Sequence, residues 1–205
     1  MTKKNDRTII YAMTKGEETK TVILKAGLDM ASRLGLENVT IGSLAKATKM
    51  SKSGLFAHFE SKENLQIQIL DYAGQAFSEH IVQPALMVPG GVARIKALFN
   101  NWIAWSSQLE GGCIFVTASS DFKDRPGRVR DFLIKQQEGW LACLGRVAQS
   151  AVKAGDFRED IDSGQFAFEF YSLLLGFHLY YKLLKSTDID ERQEAGLEKL
   201  IRNYQ

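Results

Sequence analysis

The chain has 205 residues, of which 45% are hydrophobic and 24% are charged. A chain of this length and composition forms one large or two small folded domains, and it is too apolar for wholesale disorder. The net charge of +2 is unevenly distributed, because residues 1–62 hold 11 Lys and Arg against 6 Asp and Glu while the remainder is acidic. This asymmetry favours a protein whose N-terminal end meets a polyanion.

Neither a signal peptide nor a membrane span is expected. The apolar run at residues 9–13 is too short for the hydrophobic segment of a signal peptide, and no run approaches the roughly 18 apolar residues of a spanning helix. Cys113 and Cys143 lack CxxC or metal-ligand spacing, so we expect reduced thiols, no metal site and no cofactor in a cytoplasmic protein. Residues 1–18 are polar and basic, and they form either a frayed tail or a flexible arm that touches a nucleic-acid backbone.

The first predicted helix covers residues 19–34. Its apolar residues recur at the 3.6-residue spacing of one helix face, and they are Ile23, Ala26, Gly27, Met30, Ala31 and Leu34. Gly35 follows at the position where a left-handed residue commonly ends a helix. We expect this helix to support its neighbours.

The pattern over residues 40–59 predicts two short helices joined by a tight turn. Thr40 and Ser51 are candidate N-caps, because their hydroxyl oxygens can accept a hydrogen bond from a first-turn amide. Leu55 and Phe59 fall on one face of the second helix and are expected in the core. The opposite face carries small or polar residues, which lets a helix enter the major groove of DNA. The alternative interpretation is a solvated corner of an all-helical domain.

A longer helix is predicted over residues 61–81, with Ser61 as its N-cap and Pro84 beyond its end. Lys62 lies in the first turn, where its positive charge opposes the helix dipole. A phosphate bound at this point explains the lysine, because the first-turn amides of a helix are donors for an anion.

Five further helices are predicted after a loop at residues 88–91. They cover residues 92–109, 113–122, 128–154, 162–184 and 189–204. The segment 113–117 alone is also compatible with a strand, but alternating Val, Ile and Thr runs are otherwise scarce, so the predicted fold class is all-α. The helix at 162–184 is apolar on nearly every side, and we expect a second chain to cover part of it.

Residues 20–65 resemble the N-terminal DNA-binding domain of the TetR (tetracycline-repressor-like) family of transcriptional regulators. The resemblance is carried by the segments ILKAGLDMASRLG, TIGSLAKATKMSKSGLFAHF and SKENL. It implies a three-helix helix-turn-helix domain at residues 19–66, with its motif at 40–59, and a larger helical domain at 67–205 for effector binding and dimerisation. The chain departs from the family at Phe56, because family members usually have a tyrosine there whose hydroxyl often contacts a phosphate.

The residue types in this motif indicate its contacts with DNA. We expect phosphate contacts from Thr40, Ser51, Lys52 and Lys62. Ser53, Gly54, Ala57 and His58 are expected against base edges, and Phe56 against a sugar or a thymine methyl. Lys62→Ala is expected to weaken binding to every sequence and to lower the salt slope by about one unit.

The second domain is rich in aromatic residues, and the resemblance implies that a small effector binds inside it. The candidate lining residues are Trp102, Trp105, Cys113, Trp140, Phe177 and His178. Aromatic residues at helical spacing are most often core residues, and a histidine in an apolar helix is more often a core or interface residue than a ligand contact. In the resembled family the last two long helices pair with those of a second copy. The candidate dimer contacts are Phe170, Leu174, Phe177, Tyr181, Leu197, Leu200 and Ile201.

The sequence therefore predicts a sequence-specific DNA-binding transcriptional regulator. The expected form is a homodimeric repressor that a small molecule releases from a pseudo-palindromic double-stranded operator. Two alternatives remain, namely a helical dimerisation or sensor protein without DNA binding and a helical enzyme without a short motif. No GxSxG, P-loop or HExxH motif occurs and no catalytic residue is assigned, which favours a regulator over an enzyme.

Overall fold

The computed structural model describes residues 15–205, and every secondary-structure element in that range is helical. The predicted all-α fold class is therefore confirmed. A basic arm is expected at residues 1–18. Residues 1–14 of this arm lie outside the described residues, and residues 15–18 belong to the first helix. No helix between residues 15 and 205 is long and apolar enough to cross a membrane.

The N-terminal unit is called the head (residues 15–66). It is built from α1 (Lys15–Leu34), α2 (Ile41–Thr48), α3 (Lys52–Phe59) and the first turns of α4 (Lys62–Phe77). These helices bury one small apolar core, whose fully buried members include Ile23, Leu44, Leu55, Phe59 and Leu65. Gly35 ends α1 with a φ of 85°, a left-handed conformation that glycine adopts without strain.

Side-chain caps define the starts of α2, α3 and α4. Thr40 Oγ1 accepts a hydrogen bond from the amide of Ser43 at 3.0 Å, and Ser43 Oγ accepts one from the amide of Thr40 at 2.9 Å. Ser51 and Ser61 each accept a hydrogen bond from the amide three residues ahead. The three caps predicted from the sequence are thus confirmed, and each such cap stabilises a helix by about 1 kcal/mol.

The long helix predicted over residues 61–81 continues beyond its expected end. After α4 the chain forms a π-helical turn, Ser78–Val82, and then a short helix, α5 (Gln83–Met87). The expected end before Pro84 is wrong, because Pro84 lies in the first turn of α5.

The C-terminal unit is called the body (residues 67–205), and it contains the far end of α4, α5 and five further helices. These are α6 (Val92–Gln108), α7 (Ile114–Phe122), α8 (Arg128–Lys153), α9 (Ser163–Lys182) and α10 (Ile189–Tyr204). Each begins and ends within two residues of its predicted bounds, and the segment 113–117 is helical from residue 114. α9 packs against α6, α8 and α10, while α4 packs against α8.

The head packs directly on the body. α1 and a 3₁₀ turn at Leu36–Asn38 contact α7. The buried Ser32 Oγ accepts a hydrogen bond from the amide of Gly111 at 3.0 Å, and a Cβ at residue 111 would overlap the carbonyl oxygen of Ser32. Glu37 adds an ion pair across this junction, with 3.1 Å between its Oε1 and Arg125 Nη1. Head and body therefore meet through close backbone contact as well as through charge.

Candidate DNA-binding surface and ligand cavity

α3 presents two different faces. Leu55 and Phe59 are fully buried, as predicted, and they hold the helix on the head core. The opposite face exposes Ser53, Phe56 and Ala57, and 57% of the Phe56 surface is accessible. The Phe56 ring is therefore accessible to another molecule on this face.

Two further residues of the motif, Gly54 and His58, are half-buried. Gly54 donates its amide to Ser51 Oγ at 3.0 Å, and a Cβ at residue 54 would lie 3.0 Å from the same oxygen. The His58 ring contacts the Phe59 ring, with 6.0 Å between centroids. Both residues therefore lie at the edge of the exposed α3 face.

Lys52 lies against the N-terminus of α2. Its side chain crosses Gly42, where a Cβ would begin 3.7 Å from Lys52 Cε and 3.9 Å from Lys52 Nζ. Thr40 caps the same helix end and is half-buried. An ammonium group and the amides of a helix N-terminus thus lie close together, and both are donors that bind phosphate.

Lys62 is already paired inside the protein. Its Nζ lies 2.9 Å from Glu37 Oε1. The hydrogen bond from Lys62, reinforced by the nearby charge of Arg125, holds the pKa of Glu37 below its ordinary value. This carboxylate accounts for a lysine in the first turn of α4 without any phosphate. A phosphate contact from Lys62 stays a prediction, and it would use ammonium protons that Glu37 leaves free.

The body contains a cavity of about 230 Å³ beside the far end of α4. Of the lining residues predicted from the sequence, Trp102, Cys113 and Trp140 border it. Part of its wall is aromatic. The Phe77 ring meets Phe115 and Trp140 edge-on, with 5.8 Å and 5.0 Å between ring centroids. We call the rings of Phe77, Phe115 and Trp140 the aromatic wall.

Two predicted lining residues, Trp105 and Phe177, pack behind this cavity. Trp105 stacks on His80, with 5.9 Å between ring centroids, and it meets Phe77 edge-on. Phe177 is 2% exposed and meets Trp102 edge-on at 6.4 Å. Both residues support cavity side chains from behind and do not border the cavity themselves.

His178 also lies outside the cavity, in the position of a structural histidine. Its ring covers Gly112, which has a φ of 84° and where a Cβ would collide with the imidazole. Burial lowers the pKa of His178 and so favours the neutral ring. One turn further along α9, Lys182 Nζ donates to the carbonyl oxygen of Leu109 at 2.6 Å. The two side chains together fix the loop between α6 and α7.

Several cavity residues were not predicted from the sequence, and they include Phe77, Gln136, Gln137, Arg146 and Tyr171. Tyr171 donates its hydroxyl to Gln137 Oε1 at 2.9 Å, and Gln137 Nε2 donates to the carbonyl oxygen of Phe115 at 3.3 Å. Burial raises the pKa of Tyr171, so this hydroxyl stays protonated. The sequence feature that could have indicated these residues is the pair Gln136 and Gln137, which lies about one turn before Trp140 on the inward side of α8.

Both cysteines border the cavity, but neither is activated. Burial raises the pKa of the Cys113 thiol to about 11. Burial also raises the pKa of the Cys143 thiol, although the nearby Arg146 charge opposes this shift. The thiolate is the reactive form of cysteine, so these environments favour wall residues over redox sensors.

Most of the predicted dimer contacts lie inside the protomer. Phe170, Leu174, Phe177, Leu197, Leu200 and Ile201 are each at most 5% exposed, and Tyr181 is half-buried. They belong to the core in which α9 packs against α6, α8 and α10, so they leave almost no surface for a second copy. These side chains are therefore core residues of the protomer, and their part in a dimer stays a prediction.

Exposed apolar side chains lie instead on the joint outer surface of α8 and α9. Phe168 is 65% exposed, and Leu141, Leu175 and Leu179 are between 38% and 48% exposed. A groove of about 790 Å³ lies between the two helices. Apolar residues exposed together along two long helices are typical of a surface that another chain covers. We call this surface the α8–α9 face.

The geometry thus combines a helix-turn-helix head with a helical body that encloses a cavity. Residues 23–69 match the profile of bacterial regulatory proteins of the tetR family, and residues 91–197 match the tetracyclin repressor-like C-terminal domain. The chain therefore belongs to the TetR family of transcriptional regulators, and its head is a helix-turn-helix DNA-binding domain. No curated protein matches the sequence.

Several solved structures share the fold. A TetR-family transcriptional regulator from Cytophaga hutchinsonii superposes with a TM-score of 0.81 at 20% identity, over 95% of this chain and 98% of that one. A TetR regulator from Chloroflexus aurantiacus gives a TM-score of 0.81 at 21% identity, over 93% and 96%. The structure of AibR in complex with isovaleryl coenzyme A and operator DNA superposes with a TM-score of 0.65 at 21% identity, over 88% of this chain and 94% of that one. At these identities the similarity shows the shared fold alone.

Proposed function

We propose that the chain is a homodimeric repressor that a small molecule releases from a pseudo-palindromic operator. The observation that carries this proposal is that α4 belongs to both the head and the cavity. Phe77, at the far end of α4, borders the cavity, whereas Lys62 at its start binds Glu37 of the head. A ligand that changes the packing around Phe77 is therefore in direct contact with the helix that positions the head.

In the proposed complex α3 enters the major groove of double-stranded DNA. The base-facing residues are Ser53, Phe56 and Ala57, with Gly54 and His58 at the edge of this face. Thr40, Ser51, Lys52 and Lys62 bind phosphates and set the register of the helix. The exposed outer face of α3 and the position of Lys52 at the α2 N-terminus support this arrangement.

The second copy binds on the α8–α9 face and places two heads around a two-fold axis. This symmetry calls for two operator half-sites about one helical turn apart, or a multiple of it. The small molecule acts through its different affinities for the DNA-competent and DNA-incompetent states, as coupling between two sites requires. In this function the protein works in the cytoplasm as a regulator and catalyses no reaction. AibR, which has the same fold, binds both isovaleryl coenzyme A and operator DNA.

Selection of genomic DNA fragments by the purified protein tests the DNA-binding part of the proposal. We expect enrichment of one pseudo-palindromic sequence, to which the protein binds more tightly than to shuffled DNA of equal length. Equal binding to the selected and the shuffled fragments would contradict a sequence-specific regulator.

The salt dependence of operator binding tests the assigned phosphate contacts. Lys52→Ala is expected to lower the slope of log affinity against log salt by about one unit for each head, because one released counterion per head is lost. Lys62→Ala is expected to lower it less, because Glu37 already neutralises this lysine. Lys135→Ala, on the exposed surface of α8, is the control and should leave the slope unchanged. If the salt slope of Lys52→Ala equals that of the control, Lys52 does not contact a phosphate of the operator.

A further inference from the structure

The cavity carries one cation and no anion. Among the described residues that border it, Arg146 is the one charged side chain, and no Asp or Glu is present. Arg146 takes part in none of the ion pairs formed within residues 15–205. A guanidinium without a carboxylate partner beside an apolar space favours a ligand that brings the negative charge itself.

Trp140 supplies a second donor without an acceptor. Its Nε1 is buried and has no hydrogen-bond partner in the structure, and the residue is 8% exposed. A buried donor that lacks an acceptor costs about 1–3 kcal/mol, so an acceptor atom of a ligand is favoured at this position. Tyr171 differs, because its hydroxyl proton is already bonded to Gln137.

The size of the cavity limits the ligand. Its volume of about 230 Å³ is below the roughly 300–1,000 Å³ that is common for drug-sized ligands. At roughly 20–30 Å³ for each nonhydrogen atom, it holds about 8–12 such atoms. The aromatic wall offers flat apolar surfaces, which suit an aromatic ring or a branched aliphatic group.

The position of Arg146 gives the ligand a direction. Arg146 and Tyr171 border both the cavity and the groove on the α8–α9 face. Arg146 is exposed, whereas Phe115 and Trp140 of the aromatic wall are buried. An acidic group bound by Arg146 therefore lies toward the α8–α9 face, and the apolar part of the ligand lies inside. A second copy on that face covers the charged end.

We propose that the effector is a small monocarboxylate with an aromatic or branched apolar body. Arg146 binds its carboxylate, Trp140 Nε1 donates to one of its oxygens, and the aromatic wall packs on its apolar body. The cavity provides a single cation, which matches one carboxylate better than a phosphate ester with nearly two negative charges. This proposal rests on the proposed function, because it names the ligand class of the same cavity.

A matched set of probes tests the charge preference on the full-length protein. Phenylacetate, phenylacetamide and phenethylamine have nearly the same shape and differ in charge, and isovalerate and benzoate extend the carboxylate set. Calorimetry measures binding, and thermal unfolding measures stabilisation. We expect at least one carboxylate to bind saturably and about tenfold or more tighter than its amide and its amine.

Two substitutions connect this preference with the named residues. Arg146→Gln is expected to reduce carboxylate affinity by about tenfold, to the level of the amide, because the charged partner is lost. Trp140→Phe keeps the ring and removes the donor, and it is expected to weaken carboxylate binding by about threefold to tenfold. Lys135→Gln removes a positive charge elsewhere on α8 and is the control, with unchanged affinity expected. Sedimentation of Arg146→Gln shows whether the mutation also alters the oligomeric state.

Three results would overturn the monocarboxylate class. They are tighter binding of the amine than of the carboxylates, an unchanged preference in Arg146→Gln, and no stabilisation by any carboxylate at millimolar concentration. Operator binding without ligand is measured in parallel. If it persists while the carboxylates fail, the ligand class is wrong and the DNA-binding proposal stands. If operator binding itself fails, the proposed function is wrong.

Discussion

Gly111 is a residue at which the backbones of head and body lie close together. Gly111→Ala is expected to lower the free energy of unfolding by about 1–3 kcal/mol, because the new Cβ overlaps the carbonyl oxygen of Ser32. Denaturant unfolding measures the change. The control is Gly139→Ala in α8, where a Cβ meets nothing within 4 Å and a gain of about 0.5–1 kcal/mol is expected. Equal effects of the two substitutions would contradict a close approach at Gly111.

Phe56 is the residue at which the motif departs from the family. Phe56→Tyr places a hydroxyl on the exposed face of α3, where 57% of the phenylalanine is accessible. We expect operator affinity to rise by about 0.5–1.5 kcal/mol for each head, because the hydroxyl gains a phosphate acceptor. Fluorescence anisotropy with labelled operator measures the affinity. Unchanged affinity would show that the ring edge does not face a phosphate.

At the scale of residues, local signals were predictable from the sequence and distant partners were not. The cap at Ser51 follows from a hydroxyl and an amide three residues apart, so its geometry is contained in the helix start. Lys62 was expected to bind a phosphate because the sequence does not show that Glu37 is its partner. Glu37 lies 25 residues earlier in a 3₁₀ turn, and only the packing of α1, α2 and α4 brings the two together.

At the scale of elements, Glu37 links the start of α4 to the loop between α7 and α8. Its carboxylate pairs with Lys62 at 2.9 Å and with Arg125 at 3.1 Å. The pKa of Glu37 is lowered in the folded state, so its charge contributes stability above the ordinary carboxyl pKa of 4.5. This contribution disappears as the pH falls through the lowered value.

Glu37→Gln tests this link through the pH dependence of stability. The substitution is expected to lower the free energy of unfolding at neutral pH by about 0.5–1 kcal/mol, since the ion pairs are partly exposed. The difference from the wild type should shrink as the pH falls below 4.5 and vanish below the lowered pKa of Glu37, where this carboxyl is protonated in the folded protein too. Glu60→Gln removes an exposed carboxylate of the head and is the control. A pH-independent difference would assign the effect to packing.

The helix bounds were largely predictable because caps and glycines are local signals. The π-helical turn at Ser78–Val82 was not, since it depends on what surrounds it. Phe77 lies in contact with Phe115 and Trp140, and Val82 borders the same cavity. The π-helical backbone between Phe77 and Val82 therefore lies among side chains that come from α7 and α8, which are distant in the sequence. π-helical turns are frequent at functional sites.

At the scale of the whole molecule, the proposed dimer through the α8–α9 face can be tested by mutation. Phe168→Glu is expected to yield monomers at micromolar concentration and to weaken operator binding strongly, because a buried charge would replace an apolar contact. Sedimentation measures the mass. Met87→Glu is the matched control, since Met87 is 87% exposed on α5 and should remain dimeric when mutated. A dimer that survives Phe168→Glu would place the interface elsewhere.

The apolar helix at residues 162–184 predicts a second chain from the sequence, but the sequence does not show which of its side chains face the protomer core. Because α9 is apolar on nearly every side, its sequence does not show which apolar residues turn inward. Phe170 and Leu174 face the protomer core, whereas Phe168 and Leu175 face outward. Only the positions of α6, α8 and α10 distinguish these pairs, and those positions are set by long-range packing.

The packing of α1 on α7 has a consequence for synthesis of the chain. α1 ends at Leu34, but α7 is complete only at Phe122, nearly ninety residues later. Translation at roughly 5–20 residues per second separates the two events by about 4–18 s. During this interval the nascent head lacks the surface on which it docks, so its full stability arrives together with the first wall of the cavity. A product truncated before α7 lacks this docking surface, so we expect its head to be less stable than the head of the full-length chain.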